Sequence, residues 1–213
     1  MTRFTHSIAT ALMTTALVGA TSSDYVSPRW LSGDVPATPA LAVSGGEVRL
    51  ELLVTPDGRV ASVDALRTTP PFTDAMIAAV RGWRFEPATM ASKPVEGRVL
   101  VAGMFAPPTL ITPTLGEPPQ TLQSPSGDVP VPTSTRAATY PPRAIGNGTV
   151  LVDVTVGPDG GIPVDARIVV SSPAFDATAL AAARSWSFEP AQRDGRAITA
   201  HAYLLFAFRQ PVT

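Results

Sequence analysis

The chain has 213 residues, with 16 Lys+Arg against 17 Asp+Glu, two His, no Cys and 23 Pro. A net charge of −1 leaves no basic surplus to neutralise phosphates, which argues against nucleic acid as a partner. The missing cysteines exclude thiol nucleophiles, disulfides, thiolate zinc sites and iron–sulfur clusters, and proline at about twice its usual ~5% share predicts linkers.

In chain order, Arg3 precedes an apolar stretch, 8–20, that ends in Val18-Gly19-Ala20. This reads as a secretory signal peptide over 1–20, because the run contains three threonines and is shorter than the ~20 apolar residues a membrane span needs. An uncleaved inner-membrane anchor is the alternative. Residues 21–37, with Pro28 and Pro36, read as a flexible N-terminal segment in which Tyr25 and Trp30 are candidates for docking.

The rest of the chain repeats itself. Thr38-Pro39 aligns with Tyr140-Pro141, and Pro56-Asp57-Gly58 with Pro158-Asp159-Gly160, at an offset of 102. From Phe72 the offset becomes 103, matching Trp83-Arg84-Phe85-Glu86-Pro87 to Trp186-Ser187-Phe188-Glu189-Pro190. This defines a module at 38–105 and a second at 140–213. Between them, 106–139 holds eight prolines among Thr, Ser, Gln and Gly, and reads as a proline-rich linker.

Within each module, Val48, Leu50, Leu52 and Val54, or Val150, Val152, Val154 and Val156, alternate as one face of a strand. Pro-Asp-Gly then turns the chain into a second strand. A helix of about three turns is expected next, with Thr73 or Asp176 as N-cap and Phe72 or Phe175 stapled to Ile77 or Leu180. It must end before Glu86-Pro87 and Glu189-Pro190. A long third strand closes the unit. The prediction is an α+β fold of two tandem ββαβ modules, each a three-stranded antiparallel sheet with one helix on one face. Trp83 and Trp186 read as core residues that join helix to strand.

The chemistry is sparse. His201, the one histidine beyond the signal segment, is expected on a solvated strand face between Thr199 and Tyr203, with Arg98 at the matching place. Asp57 and Asp159, Asp64 and Asp165, and Glu86 and Glu189 recur, but at turns and before prolines, so they read as structural. Nothing suggests a catalytic, metal or cofactor site, and the chain is expected not to be an enzyme.

The order Tyr140-Pro141, Gly148-x-Val150, Pro158-Asp159-Gly160, Ser171-Ser172, Trp186-Ser187-Phe188-Glu189-Pro190 and a long terminal strand resembles the C-terminal domain of TonB-type energy transducers. The first repeat resembles a degenerate copy, with Thr38 in place of the Tyr and Thr68-Thr69 in place of the Ser pair. The resemblance implies a periplasmic module that binds extended, TonB-box-like peptide segments of outer-membrane transporters or other envelope proteins by strand addition. Carried over by motif, the contact falls on Tyr140, Pro141, Ile198, Thr199, Ala200, His201, Ala202, Tyr203 and Leu204. An anchored transducer would also engage an ExbB–ExbD-like motor. A third reading pairs the two repeats edge to edge as an intramolecular pseudo-dimer, which removes an aggregation hazard.

Overall fold

A computed structural model describes residues 24–36, 38–39, 42, 44–108, 120–121 (backbone only) and 126–211. The expected signal peptide at 1–20 lies outside these residues. The elements in chain order are β1 (Tyr25–Val26), β2 (Arg29–Ser32), β3 (Gly46–Val54), β4 (Val60–Thr68), α1 (Phe72–Val80), β5 (Arg84–Glu86), β6 (Ala88–Met90), β7 (Lys93–Val95) and β8 (Gly97–Phe105). They continue with β9 (Gln120–Thr121), β10 (Val131–Ser134), β11 (Gly148–Val156), β12 (Asp165–Val170), α2 (Asp176–Arg184), β13 (Ser187–Glu189), β14 (Ala191–Arg193), β15 (Arg196–Ile198) and β16 (Ala200–Phe208). No helix among the described residues is long and apolar enough to cross a membrane.

Local chemistry sets the hairpins. Gly58 and Gly160 take φ of +77° and +66° in the Pro-Asp-Gly turns. A Cβ at Gly58 would lie 2.0 Å from the Phe85 carbonyl oxygen, so the turn needs glycine for its space as well as its dihedral. The helix starts differ from the capping expectation. Thr73 and Asp176 lie within the helices, and neither helix has a side-chain cap on its first turn. They reach backwards instead: the Thr69 N–H donates to Thr73 Oγ1 at 2.8 Å, and the Ser172 N–H to Asp176 Oδ1 at 2.8 Å. Phe72 and Phe175 stack on Phe105 and Phe208, with ring centroids 4.5 and 4.6 Å apart, so each ties a helix start to the end of a last strand.

The α+β class holds, but the expected pair of separate three-stranded sheets is replaced by one shared sheet, ordered β12-β11-β16-β8-β3-β4-β9. All neighbours are antiparallel except β16 and β8, which run parallel, with Ala202 opposite Leu100 through to Ala207 opposite Phe105. The physical reason lies in composition. Val99, Val101, Leu100 and Ala102 of β8 are all buried, as are Ala202, Leu204, Tyr203 and Leu205 of β16. A strand apolar on both faces must be covered on both, as in the interior of a parallel sheet. Two like strands paired in parallel are related by a half-turn along their direction, which sends the helices to opposite faces. One core accordingly joins Met76 and Trp83 of the first repeat to Leu151, Tyr203 and Leu205 of the second. The other joins Ala179 and Trp186 to Leu100 and Ala102 of the first.

Short strands ahead of each repeat pair with it. β2 pairs with β5, and β10 pairs with β13 in the same way. Trp83 Nε1–H donates to the Asp34 carbonyl and Trp186 Nε1–H to the Arg136 carbonyl, both at 2.9 Å. The described parts of the expected flexible segment 21–37 and linker 106–139 are therefore built into the fold as straps. A buried indole needs an acceptor, and the strap carbonyls supply it. Val129, in the expected linker, is 1% exposed.

Candidate functional site

Tyr140 and Pro141 close a loop at the entry to β11. The Tyr140 hydroxyl donates to the Gly146 carbonyl at 2.8 Å, its ring meets Phe175 edge-on at 5.5 Å, and the Ala144 N–H donates to the Pro141 carbonyl at 3.1 Å. Ile198 ends β15 and is buried with Ala200 against Tyr25, whose ring lies 4.3 Å from the Arg193 guanidinium. Thr199 is exposed between β15 and β16. Ala202, Tyr203 and Leu204 are fully buried, with β11 on one side and β8 on the other. The structure thus keeps 198–204 together as one run and separates it from an open sheet edge: the backbone groups a peptide would use at 202–207 are already paired with β8. The His201 N–H is also occupied, donating to Ser27 Oγ at 3.0 Å, and the Trp30 N–H donates to Tyr203 Oη at 2.6 Å.

His201 is not the solvated strand residue expected. Its Nδ1 lies 2.7 Å from Asp153 Oδ1, and Arg167 Nη2 donates to Asp153 Oδ2 at 2.6 Å. Asp153 is 2% exposed. Burial pushes its pKa up, but hydrogen bonds and charge from His201 and Arg167 outweigh that and hold the carboxyl below its usual value. Burial and the nearby Asp153 charge raise the Tyr203 phenol, so it stays neutral and can act as the acceptor beneath the strap. The first repeat builds the counterpart on the opposite face. Arg98 Nη1 donates to the fully buried Glu51 at 2.8 Å, and the Ser126 hydroxyl donates to the same carboxylate at 2.6 Å.

Sequence reasoning missed Glu51 and Asp153. The signal was present: a carboxylate recurs at the 102-residue offset in the middle of both apolar central strands. The straps bind crosswise near these pairs. Ser27 and Trp30, ahead of the first repeat, bind the second repeat's β16, while Ser126 and the Pro132 carbonyl, which accepts from Arg49 at 3.2 Å, bind the first. The carboxylates noticed in the sequence do not converge. Asp57 sits in its turn beside Arg59, both exposed, and among the described residues no group of three His, Asp or Glu is placed to hold a metal.

The sheet ends at one side on β9, which pairs with Arg67 and Thr68 of β4, and at the other on β12. No described strand lies beyond β12. Just before it, Ile162 and Val164 are 65% and 70% exposed.

Residues 38–107 and 136–209 match the family described as Gram-negative bacterial TonB protein C-terminal. The chain is 37% identical over 103 residues to Protein TonB of Escherichia coli (strain K12), across 46% of this chain and 40% of that protein. It therefore spans about two fifths of the length of the curated relative it matches. No solved structure matches it.

Proposed function

The chain belongs to the TonB C-terminal domain family, a non-enzymatic family of the cell envelope, and from that premise we propose that it is an exported periplasmic protein that binds extended segments of outer-membrane transporters or other envelope proteins by strand addition. The contact assigned by resemblance comprises 198–204 together with Tyr140 and Pro141, of which Tyr140 packs on Phe175 towards the Phe208 end of β16. One observation supports the strand-addition mode most: the side of β16 away from β11 takes an added strand, which here is β8 of the same chain, held in parallel over six residue pairs. Backbone pairing of this kind places little demand on side-chain identity. A peptide competing for that edge meets a conformational cost, because its apparent affinity falls by the fraction of molecules with β8 displaced.

The test is a titration of the full chain with TonB-box-like peptides, followed by amide shifts. Residues 202–207 and 100–105 should respond together. Leu100→Ala, which removes burial worth about 2–5 kcal/mol from the core shared by the repeats, should tighten peptide binding. No response at millimolar peptide in either protein contradicts the reading.

The similarity to a protein named TonB favours a second reading, an anchored energy transducer that engages an ExbB–ExbD-like motor. Mass spectrometry of the mature N-terminus separates the two. A start near residue 21 supports the exported binder, and a retained apolar segment supports the transducer.

A further inference from the structure

We propose that the cleft between the starts of β8 and β16 is a tyrosine-binding site, which the chain's own strap fills in this structure and which an extended partner segment of the form Tyr-x-Ser fills in its place. Tyr25, 7% exposed, sits there among Ala88, Ala191, Ile198 and Ala200. The Arg193 guanidinium lies 4.3 Å from its ring centroid, close enough for a cation–π contact. Small residues make the room: a Cβ at Gly97 would lie 2.8 Å from the Tyr25 hydroxyl and 2.9 Å from Pro28 Cγ. Burial raises the pKa of the Tyr25 phenol, so the ring stays neutral.

The cleft is built from corresponding positions of the two repeats. At the 103-residue offset Ala88 matches Ala191, Val95 matches Ile198 and Gly97 matches Ala200, so both repeats wall one pocket. The straps approach it in the same way: the Ala91 N–H donates to the Asp24 carbonyl and the Gln192 N–H to the Gly127 carbonyl, at 3.2 and 3.0 Å. One residue on, the first strap carries Tyr25 and the second carries Asp128, whose carboxylate lies 4.0 Å from Arg193. Arg193, paired with Asp128, offers the ring a cation without a net positive charge, so the pocket favours a neutral ring over a carboxylate.

Two residues after the tyrosine, Ser27 Oγ accepts the His201 N–H at 3.0 Å, ahead of the first β16 residue that pairs with β8. An extended segment that brings the same ring and the same hydroxyl makes the same contacts. The resident strap holds on imperfectly. Trp83 and Trp186 each donate to a strap carbonyl, whereas the Trp30 Nε1–H is buried without an acceptor among the described residues, a cost that native folds normally avoid. Val26 and Leu31 of the same strap are 53% and 60% exposed. A tethered segment of this kind competes at an effective concentration in the millimolar range, so the strap governs access to the cleft. The site is separate from the β8–β16 pairing at 202–207, and the proposal does not depend on peptide capture there.

The probe is a synthetic peptide of residues 24–33, added to the full chain and followed by the methyl resonances of Ala88, Ala191 and Ala200, which feel the ring current of a seated tyrosine. Tyr25→Ala empties the pocket without touching its walls. This variant should bind the peptide about tenfold or more tightly than the unaltered chain, whose cleft is open in only a fraction of molecules, and binding should restore the methyl shifts lost with the ring. The same peptide with alanine in place of its tyrosine should bind about tenfold or more weakly. Ser27→Ala, which keeps the ring and loosens the strap, should also bind the peptide more tightly than the unaltered chain, and it decides the matter if Tyr25→Ala does not fold. A folded Tyr25→Ala that takes no peptide at millimolar concentration overturns the proposal, as does equal binding of the two peptides. So does a Ser27→Ala no better than the unaltered chain when Tyr25→Ala is unfolded. Because the probe carries no transporter sequence and the readout lies at 88, 191 and 200, failure here leaves peptide capture at 202–207 untouched.

Discussion

Asp153 shows how a single residue ties the two repeats together. Its carboxylate binds His201 and Arg167 on the face of the sheet that α1 covers, and the strap from the first repeat crosses the same patch at His201 and Tyr203. Its pKa is lower folded than unfolded. Its contribution to stability is therefore complete above the unfolded carboxyl value of about 3.9 and is lost as pH falls through the lower folded value. Acid titration followed by circular dichroism should show this loss below about pH 4, and Asp153→Asn should flatten it. The same variant should destabilise the protein near neutral pH by about 2 kcal/mol. That is less than the 3–5 kcal/mol of a fully buried broken pair, because Arg167 remains half in solvent. Gly148 makes a second residue-scale case. A Cβ there would lie 2.3 Å from the Phe175 ring and 2.5 Å from Ser172 Oγ. Gly148→Ala should cost about 1–3 kcal/mol in chemical denaturation, as overpacking does.

Among the elements, the long strands and the helices were legible in the sequence because their periodicities differ, with period 2 at 48–54 and 150–156; the prolines at 87 and 190 set only an outer limit to helices that end at Val80 and Arg184, and the hairpins β6–β7 and β14–β15 were not expected. The straps were not. Proline and polar residues around 29–32 and 131–134 resemble a linker in composition, and only the pairing of β2 with β5 and β10 with β13 reveals them. The tryptophans hold these straps from the core side. Trp83→Ala and Trp186→Ala should each cost about 3–5 kcal/mol by denaturant titration. Each should also release its own strap, seen as faster amide exchange at 29–32 or 131–134 respectively. The candidate site was legible only as a contiguous run. Its pairing with β8 was hidden because alternation at Val99, Val101 and Phe105 accounts for one face, and the meaning of Leu100 and Ala102 on the other emerges only when the second repeat covers them.

For the whole molecule, two small repeats without disulfides each gain burial by sharing a sheet, with each core drawing strand residues from both. Calorimetry should accordingly give one cooperative transition, not two. The same union gives the last strand of the second repeat a resident partner, so peptide capture there and the pairing of repeats compete for one set of backbone groups. The central claim is that the repeats meet through β8 and β16 in parallel, and nuclear Overhauser contacts between the backbones of 100–105 and 202–207 test it most directly. The structure predicts contacts that advance in step along both strands, with Leu204 nearest Ala102 and Leu205 nearest Gly103. Two folded repeats with no contacts between these strands, or contacts that run in opposite order, would contradict it.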